Sequence, residues 1–139
     1  MIPAISSGQR DALNYRQILE MHAILHYAQH AAIKDIGALK QATGAVLERM
    51  STGAIDAALL EEAEQTDWRL RDEIIDSLGN EIVSINYRVN AARIRLMRVT
   101  QRQSPARAVE ALKEHMAVLQ AAMAREVEGA AVEIGRAHV

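Results

Sequence analysis

The sequence predicts an all-α fold: a compact antiparallel bundle of about six helices, forming a single domain over residues 1–139. Three observations carry that expectation. Half of the 139 residues are hydrophobic yet only 3% are aromatic, with no Phe, so the apolar half is Ala, Leu, Ile, Val and Met, and Ala, Leu and Met are strong helix formers. Two prolines and seven glycines leave too little punctuation for a many-turned β fold. Apolar residues also recur near every 3.6 positions, as an amphipathic helix requires.

Each element has its own signal. Ser6, Ser7 and Gly8 lead into a first helix over about Arg10 to Lys34, with Leu13, Ile18, Leu19, Ile24, Leu25, Ala28 and Ala32 as its apolar positions. A second covers about Asp35 to Met50 through Ile36, Leu39, Ala42, Val46 and Leu47; Gly37 and Gly44 weaken it, and Ser51-Thr52-Gly53 ends it. Asp56 is the N-cap of a third helix reaching Leu78. Gly79 suits a left-handed C-cap, and Asn80 caps a fourth helix running to about Gln101. Ser104-Pro105, a capping serine followed by proline at the first helical position, opens a fifth that reaches about Ala124. A sixth starts near Glu126, with Gly129 and Gly135 blurring its ends.

Composition excludes several classes of function. The absence of cysteine removes disulfides, thiolate metal sites and cysteine nucleophiles. No uncharged apolar run approaches the ~20 residues of a membrane span, and Met1 to Gly8 lacks the basic and apolar regions of a secretory signal. The expected location is therefore cytoplasmic, with no membrane partner. A formal charge of −2 gives no footprint for nucleic acid over the whole domain. There is no Gly-rich phosphate loop, no G-x-S-x-G, no H-E-x-x-H and no paired E-x-x-H motif. The expectation is a protein that is not an enzyme.

Four polar features remain. On the fourth helix Val83, Asn86, Tyr87, Asn90, Ile94 and Met97 fall at spacings of three and four. Asn86 and Asn90 bond between helices, lie on a face that is simply exposed, or line a polar cavity in the bundle centre. His115 and His138, with a carboxylate such as Asp67, offer imidazole and carboxylate donors suited to Zn, Ni, Mn or Fe; a histidine late in a helix equally complements the helix dipole. His22, His26 and His30 form a ladder on the first helix that reads as a semi-exposed face. Arg88, Arg95, Arg98 and Arg102 line one side of the fourth helix and read as a solvated or salt-bridged row.

Taken in order, several short segments resemble the C-terminal effector-binding domain of GntR-family transcription regulators of the FadR subfamily. They are Arg16-Gln17-Ile18-Leu19-Glu20, Asp67-Trp68-Arg69-Leu70-Arg71, Gly79-Asn80, Glu114-His115-Met116-Ala117-Val118-Leu119, and Arg136-Ala137-His138-Val139. The resemblance implies a ligand-sensing domain that binds a small anionic metabolite in a central cavity and works as a homodimer. DNA would be reached only through a separate N-terminal winged helix-turn-helix, which is not in this chain. The chain is thus expected to be a piece of a longer regulator or a freestanding sensor. Carried over from the family, a divalent ion (Zn, Ni or Mn) would take Asp67, position 71, His115 and His138 as ligands.

Position 71 is Arg here, a side chain that only donates hydrogen bonds. The last helix also runs one residue out of step with the family spacing, and Glu126 stands where the family has Asp. Two mechanisms follow. Asp67, His115 and His138 hold a three-ligand metal while Arg71 swings aside or holds the effector's carboxylate; or no metal binds, Arg71, oriented by Asp67, clasps the effector, and His115, His138, Asn86 and Asn90 supply the remaining hydrogen bonds, with Arg16 also in the ligand site. The competing function class is a structural or adaptor bundle that mediates dimerisation without a ligand.

Overall fold

A computed structural model describes residues 6–98 and 104–125. Among these the chain is all-helical, with five helices: α1 (Ser7–His30), α2 (Ile33–Ser51), α3 (Ala57–Asp76), α4 (Glu81–Met97) and α5 (Pro105–Met123). The sixth helix expected from Glu126 lies outside the described residues, as does Gln101. No described helix is long and apolar enough to cross a membrane.

The caps read from the sequence form. Ser6 and Gln9 make a reciprocal capping box at α1, and Asp56, Asn80 and Ser104 accept from the backbone of Leu59, Val83 and Arg107. Gly79 sits at φ +66°, the left-handed conformation that suits glycine at a helix end.

The first boundary differs from expectation: α1 stops at His30, not Lys34, and α2 begins at Ile33. Nothing local marks the break, since Ala31 and Ala32 are both good helix formers. A distant side chain does. The Arg125 guanidinium, just past α5, donates to the carbonyls of Ala28 (2.9 Å) and Ala31 (2.8 Å). It thereby satisfies acceptors that a helix end leaves open.

α3 is the hub, packing against α1, α2, α4 and α5; α2 also lies along α5, and α1 along α4. The buried apolar residues form two clusters. One gathers Ile24, Tyr27, Ile36, Leu70, Ile75, Tyr87, Val118 and Leu119, with their neighbours. The other gathers Val46, Met50, Leu59, Ala63, Ala108 and Leu112. Between members of the two clusters, three helices each carry a polar residue: Thr43 on α2, Asp67 on α3 and His115 on α5. A polar layer thus crosses the bundle.

The face that α1 buries is only partly the expected one. Ala12, Arg16, Glu20, Ala23, Ile24, Tyr27 and Ala28 point inward, while Ile18 is 61% exposed. Two charges within the inward row hide it from a count of apolar residues.

Candidate functional site

The polar layer is a network of charges. Arg71 on α3 extends to Glu20 on α1, with its Nη1 bonded to both carboxylate oxygens (Oε2 at 2.8 Å), while its Nε donates to Asp67 Oδ2 at 3.2 Å. Asp67 lies one turn earlier on α3, so the two side chains meet as an i, i+4 pair. Its other oxygen, Oδ1, is hydrogen-bonded to His115 Nε2 from α5. Arg71 Nη2 reaches the same nitrogen at 3.4 Å. Arg16 Nε lies 3.7 Å from Glu20. Arg16, Glu20, Arg71 and His115 are all buried, and Asp67 keeps a fifth of its side chain exposed.

Burial at this depth penalises every charge, so each ion persists because of its neighbours. Burial alone would raise the Asp67 carboxyl, but Arg71 and His115 outweigh it and hold it well below the usual carboxylate range. Burial likewise disfavours the Arg71 cation, and Asp67 and Glu20 reverse this. Arg16 is the poorly compensated member: burial and the adjacent Arg71 pull it down to about 10, against Glu20. Among the described residues its Nε has no hydrogen-bond partner, nor do His115 Nδ1 and the Tyr87 hydroxyl.

Above the network a cleft of about 1300 Å³ opens, lined in part by Arg16, Asp67, Trp68, Arg71, Arg95 and Arg98. Three guanidinium groups surround the Trp68 ring: Arg95 at 4.3 Å, Arg16 at 5.9 Å and Arg71 at 6.0 Å from its centroid. Among the described residues, Arg95 and Arg98 form no ion pair, whereas Arg88 is held by Asp76 at 2.9 and 2.6 Å and Arg107 by Glu114 at 3.6 Å.

Asp67, Arg71, His115 and Arg16 lie together around this network. His138 and Arg102 lie outside the described residues. Asn90 is buried, but its amide donates to the Ala12 carbonyl at 2.9 Å, tying α4 to α1. Asn86 requires correction: it is exposed and absent from the cleft lining. A four-residue step along a helix turns about 40° from true alignment, so the row through Asn90 and Ile94 drifts off the inner face before reaching Asn86. The ladder on α1 is a semi-exposed row, with His22 and His30 exposed, His26 half-buried, and the His26 and His30 rings 4.6 Å apart.

Four participants were not assigned to the site: Glu20, Trp68 and the cleft-facing pair Arg95 and Arg98, the last two read only as part of a solvated or salt-bridged row. Arg16 and Glu20 at i, i+4 were visible within one motif, and a lone Trp between charged residues is a further signal. That Arg95 turns toward Trp68 is a tertiary fact.

The described residues do not by themselves assemble a site for a divalent cation, and His138 lies outside them. Among the described residues, no group of three or more His, Asp or Glu side chains is placed to hold a metal ion. The Arg71 guanidinium already donates to Asp67 and stands 3.4 Å from His115 Nε2, so a metal bridging those two groups would meet a fixed positive charge.

A family model described as the FCD domain matches residues 11–139. Neither the curated proteins nor the solved structures yield a match to the chain.

Proposed function

The chain belongs to the FCD-domain family, the C-terminal domain of GntR/FadR-type regulators, and from that premise we propose that it senses a small anionic metabolite without a metal, as a homodimer. FCD domains are the regulatory, effector-binding parts of transcription regulators; DNA binding in this scheme belongs to a separate N-terminal domain.

The observation that carries the metal-free reading is the closed Glu20–Arg71–Asp67–His115 network beneath Arg95 and Arg98, which have no carboxylate partners among the described residues. Arg71 is committed to Glu20 and Asp67, so it braces the floor of the cleft. The effector's carboxylate is taken by Arg95 and Arg98, with Arg16 Nε as a buried donor beneath and the Trp68 face closing one side. A ligand that fits one arrangement of two domains better than another shifts the equilibrium between them, and the DNA-binding heads move with it.

Trp68 is the only tryptophan, which makes its fluorescence a direct report on the cleft. Small mono- and dicarboxylates and sugar acids would be titrated with EDTA present, following Trp68 emission and thermal unfolding together. One class of acid should change the emission and raise the melting temperature; at a hundredfold excess over Kd a single site adds about 2.7 kcal/mol. Arg95→Gln should weaken that response. If no acid gives either signal, the sensing reading fails. If Zn, Ni or Mn stabilises the wild-type chain reversibly by EDTA, the metal-free reading fails.

A further inference from the structure

α1 carries a row of side chains that neither the polar layer nor the cleft uses. His22, His26 and His30 recur every four residues along it, and none of the three lines the cleft. Residues four apart share one face of a helix, with Cβ atoms about 5–6 Å apart. His22 and His30 are exposed and His26 is half-buried. Among the described residues the three rings form no hydrogen bond and no ion pair. The ring contact they do make is within the row: His26 and His30 lie 4.6 Å apart, tilted by 44°. His26 turns Nδ1 into the protein, where it finds no partner, which leaves Nε2 as the nitrogen open to a ligand.

We propose that His26 and His30 form a two-imidazole site for Cu(II) on the outer surface of α1. Neutral imidazole is a common metal ligand. Two histidines four apart on a helix can present their nitrogens to one ion, as the paired histidines of H-E-x-x-H helices do. Nitrogens each about 2 Å from a shared ion and at right angles stand about 3 Å apart. Rings 4.6 Å apart reach that separation by turning about their side-chain bonds. The protein donors number two, short of the grouping of three that the described residues lack, so water completes the shell. Such an open pair has no enclosing cage to impose a geometry, and intrinsic affinity decides which ion it takes. Among divalent first-row ions that affinity peaks at Cu(II), and nitrogen with water oxygen suits its tetragonal preference. The pair shares no residue with the Glu20–Arg71–Asp67–His115 network, so its failure leaves metabolite sensing untouched.

Cu(II) alone would be titrated into the whole chain by calorimetry, and the electron paramagnetic resonance spectrum recorded on the loaded protein. The wild type should bind Cu(II) with a tetragonal spectrum that shows coupling to two imidazole nitrogens, and should bind Zn and Mn more weakly. His26→Gln and His30→Gln should each weaken Cu(II) binding by more than about tenfold, since losing even an outer-shell partner of a metal ligand costs about 10–100-fold. His22→Gln, which stands outside the ring contact, should bind as the wild type does. Failure to bind Cu(II), or Zn or Mn binding as tightly, would overturn the site. Wild-type affinity in His30→Gln, or an equal loss in His22→Gln, would overturn the pair. Should His26→Gln lose far-UV helicity, His30→Gln, at an exposed position in the last turn of α1, decides the matter.

Discussion

Arg71 is the residue on which the interior depends, because it answers two carboxylates from two helices at once. Breaking a buried pair by removing one partner leaves the other charge uncompensated, which costs about 3–5 kcal/mol. Asp67→Asn is therefore expected to destabilise the chain by about that amount in urea unfolding, and a loss below 1 kcal/mol would show that Asp67 does not brace Arg71. Arg71→His tests the position more sharply. It removes the guanidinium and adds an imidazole one turn from Asp67, so calorimetry should show a raised affinity for Zn or Ni relative to the wild type. No gain in affinity would count against the placement of position 71 among the family's ligand positions.

At the scale of the elements, two glycines predict opposite outcomes. Gly44 lies inside α2 with ordinary φ, and a Cβ added there would meet only the Met116 methyl at 3.8 Å, a normal contact. Gly44→Ala should stabilise by about 0.5–1 kcal/mol through helix propensity, a rise of about 2–5 °C in melting temperature. The close run of α2 along α5 thus does not require this glycine. Gly79, at φ +66°, does require one, and Gly79→Ala should cost about 1–2 kcal/mol through left-handed strain. Arg125→Ala should fray the end of α1, seen as faster amide exchange at Ala31 and its neighbours, because the Ala28 and Ala31 carbonyls lose their donor. Unchanged exchange there would show that α1 ends for another reason.

For the molecule as a whole, the acid limb of stability follows from the direction of the carboxylate shifts. Asp67 is held low against burial by Arg71 and His115, and exposed Asp76 is lowered by its bonds from Arg88. Groups with depressed folded values bind fewer protons folded than unfolded, so their stabilisation is present above the unfolded value and lost as pH falls below about 4. Asp72, raised by burial, works in the opposite sense. Urea midpoints should therefore be level near neutrality and drop below about pH 4, and Asp67→Asn should flatten that drop. An unchanged acid slope in the variant would locate the sensitive carboxylate elsewhere.

The sequence by itself determined the helices and most of their ends. Composition sets helix propensity, and caps such as Ser6, Asp56, Asn80 and Ser104 act within three residues of their own helix. Local physics needs only local residues. It also placed Asp67, Arg71 and His115 in one ordered series of motifs. Tertiary structure alone decided the rest, because those outcomes depend on what arrives from far along the chain. Glu20 meets Arg71 across 51 residues, and Arg125 ends α1 from 94 residues away. α1 turns inward a stripe holding two charges, and it is Arg71 arriving from α3 that answers Glu20 there. Asn90 spends its amide on the Ala12 backbone for the same reason: a buried donor takes the acceptor that packing brings to it.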